Sequence, residues 1–464
     1  MRIRSRSLLR DLVRLTVPNR MVLERRPTRR ARLAAAVLLS AGALATPSAR
    51  QDARIVAIGD IHGASQEFTT LLRTAQLTDT ADRWIGGKAT LIQTGDYTDR
   101  GAGVRAVLNL LMTLEEQARK AGGRVVVLLG NHEVMNLLGE QRDVTPEIYL
   151  TFADANSEGR REKAYDQYAA LAAARAKARP QVPAVYTQAR EVWMAAHPPG
   201  WIEYREAFSP GGKYGAWLRQ KPIFAKAGGA LFMHAGINPT QTPPPKVEDA
   251  NEQVRNEIRQ VDRYLQRLVG AKLALPFFTL DEIVQVAIAE IQAVNAVLAA
   301  AKDSGEQPDL SGFDVAVARE GLELIKIGEG AALNPEGPMW YRGYANAPEA
   351  ALEAPLAATL AVNGVSRLVV AHTPQSTWRI TPRLGARIIL IDTGMLTSVY
   401  KGRANALEIS GGGLTAIAED GRTPIDGAAA KPQAQRRTTP PGRSAAWNHS
   451  MVLFSPSSNG TRVR

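Results

Sequence analysis

Short apolar runs bounded by glycine recur along the chain, and each is followed by polar residues able to carry chemistry. Ile55–Ile58 leads into Gly59-Asp60-Ile61-His62-Gly63. Leu91–Ile92 leads into Gly95-Asp96-Tyr97-Thr98-Asp99-Arg100-Gly101, and Val125–Leu129 into Gly130-Asn131-His132-Glu133. Such runs predict strands covered on both faces. Between them, Gln66–Thr74 places Phe68, Leu71 and Leu72 at helical spacing. Val104–Lys120 does the same with Val107, Leu110, Leu111 and Leu114, and Gly122-Gly123 ends it. Strand, helix and strand therefore alternate through residue 129, which predicts parallel pairing. Ala230–Met233, Arg367–Val370, Arg387–Ile391 and Ala406–Ile409 are the later predicted strands.

Two stretches break this rhythm. Residues of about 140–222 are rich in Ala and Arg, carry Pro180, Pro183, Pro198 and Pro199, and hold Trp193, Trp201, Tyr204 and Trp217. They are read as inserted helices and loops, with the aromatics covering the insert's own core and contact with substrate as the alternative. Residues of about 247–335, after a proline-rich linker at 239–245, form a second insertion. In it Thr279-Leu-Asp-Glu282 resembles a capping box opening a helix with Ile283, Ala287, Ile291, Val294 and Leu298 on one stripe, ending near Lys302.

The chain has 464 residues and a formal net charge of +12. Residues 1–50 carry twelve arginines against Asp11 and Glu24, and 421–464 carry seven basic residues against Asp426. Residues 51–420 are left with a net charge of −4, so the basicity lies in the tails and no nucleic-acid partner is expected. The absence of cysteine excludes disulfides, thiolate metal sites and thiol catalysis. Residues 1–50 read as a targeting segment: Arg25, Arg26, Arg29, Arg30 and Arg32 precede the apolar run Leu33–Ala45, and small residues suited to cleavage follow. That run is too short for a comfortable membrane span, so no stable transmembrane span is expected. Export to the periplasm is the expectation, with an uncleaved N-terminal anchor as the alternative. Thr28-Arg29-Arg30 leaves twin-arginine and general secretion both open, and Met21 would be a more ordinary start. The organisation expected is a targeting segment at 1–50, one domain at 51–420 with the two insertions, and a disordered tail at 421–464.

Of the six histidines, His62, His132, His234 and His372 follow predicted strands, whereas His197 and His449 do not. With Asp60, Asp96 and Asn131 they supply the mixed oxygen and imidazole donors that hold divalent metals, at strand ends where α/β folds gather their sites.

Gly-Asp-x-His-Gly, Gly-Asp-x-x-Asp-Arg-Gly and Gly-Asn-His-Glu resemble the signature of the calcineurin-like metallophosphoesterases, in the form shared by phosphoprotein phosphatases. His234-Ala-Gly, His372-Thr-Pro and Gly337-Pro-Met-Trp-Tyr-Arg342-Gly-Tyr344 are most similar to the Shewanella-like protein phosphatase branch. His234-Ala-Gly departs from the His-Gly-Gly of eukaryotic phosphoprotein phosphatases, and Ala371 stands where glycine is common. The resemblance covers roughly residues 54–411. It implies an α/β (α+β layered) fold, a β-sandwich flanked by helices with helical insertions, which the strand pattern alone does not show.

By the same resemblance, Asp60 and His62 hold a first metal, Asp96 bridges both, and Asn131, His234 and His372 complete the second. Manganese is expected, with iron or zinc as alternatives. A metal-bridging hydroxide would attack phosphorus in line. His132 would protonate the leaving group, Asp99 would hold its ring, and Arg100 and Arg342 would bind phosphate, although an Arg between aromatics also suits a stacked structural role. Glu133 would brace the site, and Asp392 would orient a ligand histidine or serve a plain turn. The function implied is hydrolysis of phosphorylated Ser/Thr or Tyr residues, or of small phosphoesters. Hydrolysis of dinucleoside polyphosphates or nucleotides on the same metals is the alternative.

Overall fold

The run Ile55-Val-Ala-Ile forms strand β1 (Ile55–Ile58), and its side chains divide between two cores. Ile55 and Ala57 enter one apolar layer, whereas Val56 and Ile58 enter another. Both faces are apolar, which is why the run shows no polar alternation. The computed structural model describes residues 54–425 except 180, 181, 183, 184 and 242–244. The expected targeting segment, Pro180, Pro183, most of the tail and part of the 239–245 linker lie outside the described residues.

The remaining strands are β2 (Thr90–Gln93), β3 (Arg124–Val127), β4 (Phe224–Ala227), β5 (Ala230–Met233), β6 (Arg367–Val370), β7 (Thr381–Arg383), β8 (Ile388–Leu390), β9 (Asn405–Ser410), β10 (Gly413–Ala418) and β11 (Gly421–Pro424). One sheet runs β11-β10-β9-β1-β2-β3, the other β4-β5-β6-β8-β7. The layer between them contains Ile55, Ala57, Ile92, Val126, Phe232, Val369, Ile389, Leu407 and Ile409. Their outer faces, through Val56, Leu91, Val127, Leu231 and Leu368, join the larger core that includes the helices. This is the helix-flanked sandwich.

Register brings the strand ends together. β1, β2 and β3 are parallel with Ile58, Gln93 and Val127 level, and β5, β6 and β8 are parallel with Met233, Val370 and Leu390 level. The residues that follow these six strands are the chemistry-bearing ones.

Four strands escape the hydrophobic pattern. β4 is short and mixed, yet it turns into β5 through Gly228-Gly229, both at positive φ (54° and 73°), the two-residue hairpin signal. β7 and β11 are half-buried or exposed, and β10 buries only Ile417 and Ala418. β11 corrects the expected tail boundary, since the chain at 421–424 pairs with β10. Pro424 is tolerated because β11 is an edge strand, with no neighbour on its far side among the described residues.

Helix Ser65–Thr74 buries Phe68, Leu71 and Leu72. Helix Val104–Lys120 buries Val104, Val107, Leu108, Leu111 and Leu114, with Leu110 at the margin. Between β3 and β4 the chain forms helices 131–138, 146–150, 157–178, 190–196, 201–208 and 213–218; Val247–Gly270, Leu280–Ser304, three further α-helices and a short 3-10 helix precede β6 among the described residues. The Thr279–Glu282 capping box is formed. Leu280–Ser304 is long and apolar enough to cross a membrane by composition, and it buries Ile283, Val286, Ala287, Val294 and Leu298 in the protein. The two helical groups meet through buried and half-buried charge. Arg219 grips Asp262 with two bonds of 2.8 Å, and Glu290 takes Arg175 at 2.8 Å and Arg179 at 2.7 Å.

Candidate metal centre

The turns after the parallel strands are wound tightly enough that several non-glycine residues adopt left-handed backbone. His62 has φ 46°, Asp96 55°, Asp99 66°, Arg100 69° and His372 67°. Such conformations cost about 1–3 kcal/mol each and need support from their surroundings. Glu133 supplies much of it. Its fully buried carboxylate accepts from the backbone nitrogens of Asp96 (2.7 Å), Tyr97 (2.9 Å), Thr98 (2.9 Å) and Gly130 (2.7 Å), and from Thr98 Oγ1 (2.8 Å). Gly95 is needed beside it: its φ is 97°, and a Cβ there would strike the backbone nitrogen of Gly130.

Asp96 lies at the centre. Its Oδ2 is 3.6 Å from His62 Nε2, 3.7 Å from His132 Nε2 and 3.3 Å from His234 Nε2. Burial opposes its ionisation, but His234, His132 and His62 hold its carboxyl well below the usual range. Asp60 reaches the same cluster, 3.8 Å from His62 Nε2 and from His234 Nδ1. Asn131 Oδ1 and His372 Nδ1 each lie 2.9 Å from His234 Nε2.

The outer ring nitrogens separate the histidines into two kinds. His62 Nδ1 faces the Thr98 carbonyl at 3.0 Å, His234 Nδ1 the Thr94 carbonyl at 3.2 Å, and His372 Nε2 the Trp340 carbonyl at 3.2 Å. A carbonyl can only accept, so each outer nitrogen carries a proton, and in the neutral ring the inner nitrogen is left with a lone pair. Burial also pushes His62 and His372 well below the usual histidine range. Three lone pairs, the Asn131 oxygen and two carboxylates thus converge, an arrangement that repels itself and suits divalent cations.

His132 differs. Its Nδ1 meets the Asp99 carboxylate at 2.7 Å, and although burial opposes protonation, Asp96 and Asp99 raise it to about 9. By distance His132 groups with His62 and Asp96, and Asp96, His234 and His372 form a second group. A protonated ring has no lone pair for a metal, so position alone does not make His132 a ligand.

Arg100 Nη1 stands 3.0 Å from His62 Nε2 and its Nη2 3.1 Å from His132 Nε2, with the side chain half-buried. Arg342 is exposed and donates to the His372 carbonyl (2.7 Å) and Thr373 Oγ1 (3.2 Å). Asp392 does not reach a histidine ring nitrogen as a hydrogen-bond partner. It lies against Asp60, and burial pushes it up to about 6. The aromatics of the first insertion are in its core: Trp193, Trp201 and Tyr204 are buried, and half-buried Trp217 donates to Glu115 at 2.7 Å. Asn136, which donates to Asp99 Oδ1 at 2.7 Å, belongs to the site although no motif marked it. Its place four residues after His132, on the same helix face, was the available signal.

Residues 53–262 match the sequence profile of the calcineurin-like phosphoesterases. Over that span, 210 of its 464 residues, the chain is similar to this family. It is accordingly a metal-dependent phosphoesterase, and the family implies a dinuclear divalent site that the donors described above fit. An uncharacterised protein of Schizosaccharomyces pombe is 29% identical over 368 residues, 79% of this chain and 80% of that protein. Shewanella-like protein phosphatase 2 of Arabidopsis thaliana is 42% identical over 92 residues, covering 20% of this chain and 24% of that protein's length. Among solved structures, a cold-active protein-tyrosine phosphatase of a psychrophilic Shewanella aligns with a TM-score of 0.49 at 23% identity, over 81% of this chain and 80% of its own.

Proposed function

We propose that this phosphoesterase removes phosphate from phosphorylated protein side chains. The observation that carries the mechanism is the contrast between His132, whose outer nitrogen rests on a carboxylate, and the three histidines whose outer nitrogens rest on carbonyls. Asp60, His62 and Asp96 would hold one cation, and Asp96, Asn131, His234 and His372 the other. Such a pair of cations supplies activated water and neutralises phosphoryl charge. Arg100 offers a planar fork of donors to the phosphoryl oxygens. His132 gives its Nε2 proton to the departing alkoxide, and Asp99 keeps the ring aligned as it does so. Arg342 uses part of its fork to hold the His372 turn and directs the rest to phosphate. The similarity to a plant protein phosphatase supports protein substrates over free nucleotides, as does the net negative charge of residues 51–420.

Manganese is the proposed metal. The test is kcat/KM for the chain from residue 51 onward, loaded with Mn²⁺, on phosphoserine, phosphothreonine and phosphotyrosine peptides beside a dinucleoside tetraphosphate. Faster phosphopeptide turnover is expected; preference for the dinucleotide would replace this reading. Export is proposed on the pattern of residues 25–49 alone, and fractionation of cells expressing the full chain tests it.

A further inference from the structure

The leaving-group histidine is tied to the first helical insertion by a chain of three buried hydrogen bonds. His132 Nδ1 and Asp99 Oδ2 are 2.7 Å apart. Asp99 Oδ1 accepts from Asn136 Nδ2 at 2.7 Å, and Asn136 Oδ1 accepts from the Tyr204 hydroxyl at 2.7 Å. Asn136 Nδ2 also donates to the His132 carbonyl at 2.9 Å, so both amide hydrogens and the amide oxygen are engaged. All four residues are at most 2% exposed.

We infer that Asn136 and Tyr204 are positioning residues for the proton transfer assigned to His132, an inference that rests on that assignment. A carboxylate with one free oxygen can rotate; Asn136 occupies Oδ1 of Asp99 and leaves Oδ2 aimed at the imidazole. An amide can also turn over, and here the reversed form would set its oxygen against the Asp99 carboxylate and the His132 carbonyl. The Tyr204 hydroxyl favours the working orientation by giving Oδ1 a donor that a reversed amide would exchange for none. The Tyr204 ring is itself fixed. It stacks on Phe208 at 4.4 Å and meets Phe152 at 4.9 Å and Tyr149 at 5.3 Å, both edge-on. Helix Trp201–Phe208, which carries it, lies in a different segment from the Asn131–Leu138 helix bearing His132 and Asn136. The insertion therefore delivers one hydroxyl to the far end of the catalytic dyad.

Tyr204→Phe removes a single oxygen from a ring that stays caged. With the manganese-loaded enzyme, kcat on a phosphoserine peptide should fall about tenfold, because its alkoxide needs the proton, while nitrophenyl phosphate changes by less than about twofold. Metal content should be unchanged. Asn136→Ala should show the same split more strongly, and adding Tyr204→Phe to it should cost nothing further, since the hydroxyl acts only through the amide. Equal losses on both substrates, no loss on either, or additive losses in the double variant would overturn the inference. His132→Asn separates the two levels. A split there with none in Tyr204→Phe rejects the positioning chain alone; no split there rejects the leaving-group acid and the chain with it.

Discussion

At the scale of single residues, the function of a histidine here follows from what its outer nitrogen touches. His62, His234 and His372 each donate outward to a carbonyl and face inward as bases, whereas His132 faces a carboxylate and holds a second proton. Asp96 ties the two sets together, within 3.7 Å of three imidazoles. Asp96→Asn removes the shared charge, and should lower metal content and cut kcat by at least about a thousandfold; metal analysis alongside steady-state rates checks both. Because His132 is raised to about 9, it is protonated and able to donate below that pH and loses the proton above it. The rate for a poor leaving group should therefore fall on an alkaline limb, with about 9 as its upper bound because cations on Asp96 weaken its pull. Nitrophenyl phosphate should show a flatter profile, and pH–rate curves for the two substrates decide it.

At the scale of elements, the helix Asn131–Leu138 does more than carry ligands. Its third residue, Glu133, accepts four backbone N–H groups and one hydroxyl, and so holds the left-handed turn of Asp96 to the end of β3. Glu133→Ala would orphan these buried donors, each costing about 1–3 kcal/mol when unsatisfied. A loss of at least about 3 kcal/mol is expected in urea denaturation, together with weaker metal retention; a loss under about 1 kcal/mol would show that the turn holds itself. The strand-turn-ligand units were legible because periodicity, glycine and donors lie within a dozen consecutive residues. The edge strands β4, β7 and β11 and their neighbour β10 were not, since half-buried or exposed strands leave no apolar run. Asn136 lay one helical turn from His132 and could have been found; Tyr204 was read with the insert's aromatics, as core or as substrate contact, and not as a partner of the dyad.

At the scale of the whole molecule, two sheets press together through a layer that includes Ile55, Phe232, Val369 and Leu407, and this sets β1–β3 and β5, β6 and β8 against one another. Phe232 is fully buried in that layer. Phe232→Ala should cost about 3–5 kcal/mol, measured by thermal or chemical unfolding. The ratio of rates on alkyl and nitrophenyl phosphates should not change, because the proton-transfer chain lies elsewhere. The amino-acid sequence by itself determined which residues could donate to a metal and that they follow strands. Donor chemistry is intrinsic to the side chain, and strand ends are written in local hydrophobicity. Only the tertiary structure decided that the strands divide into two sheets and that Asp392 meets Asp60. It likewise decided which histidines present lone pairs, and that Tyr204 reaches the proton-donating one. Those outcomes depend on atoms brought together from distant segments, such as the carbonyls of Thr94 and Trp340, and no local pattern encodes what a ring nitrogen will face once the chain has closed.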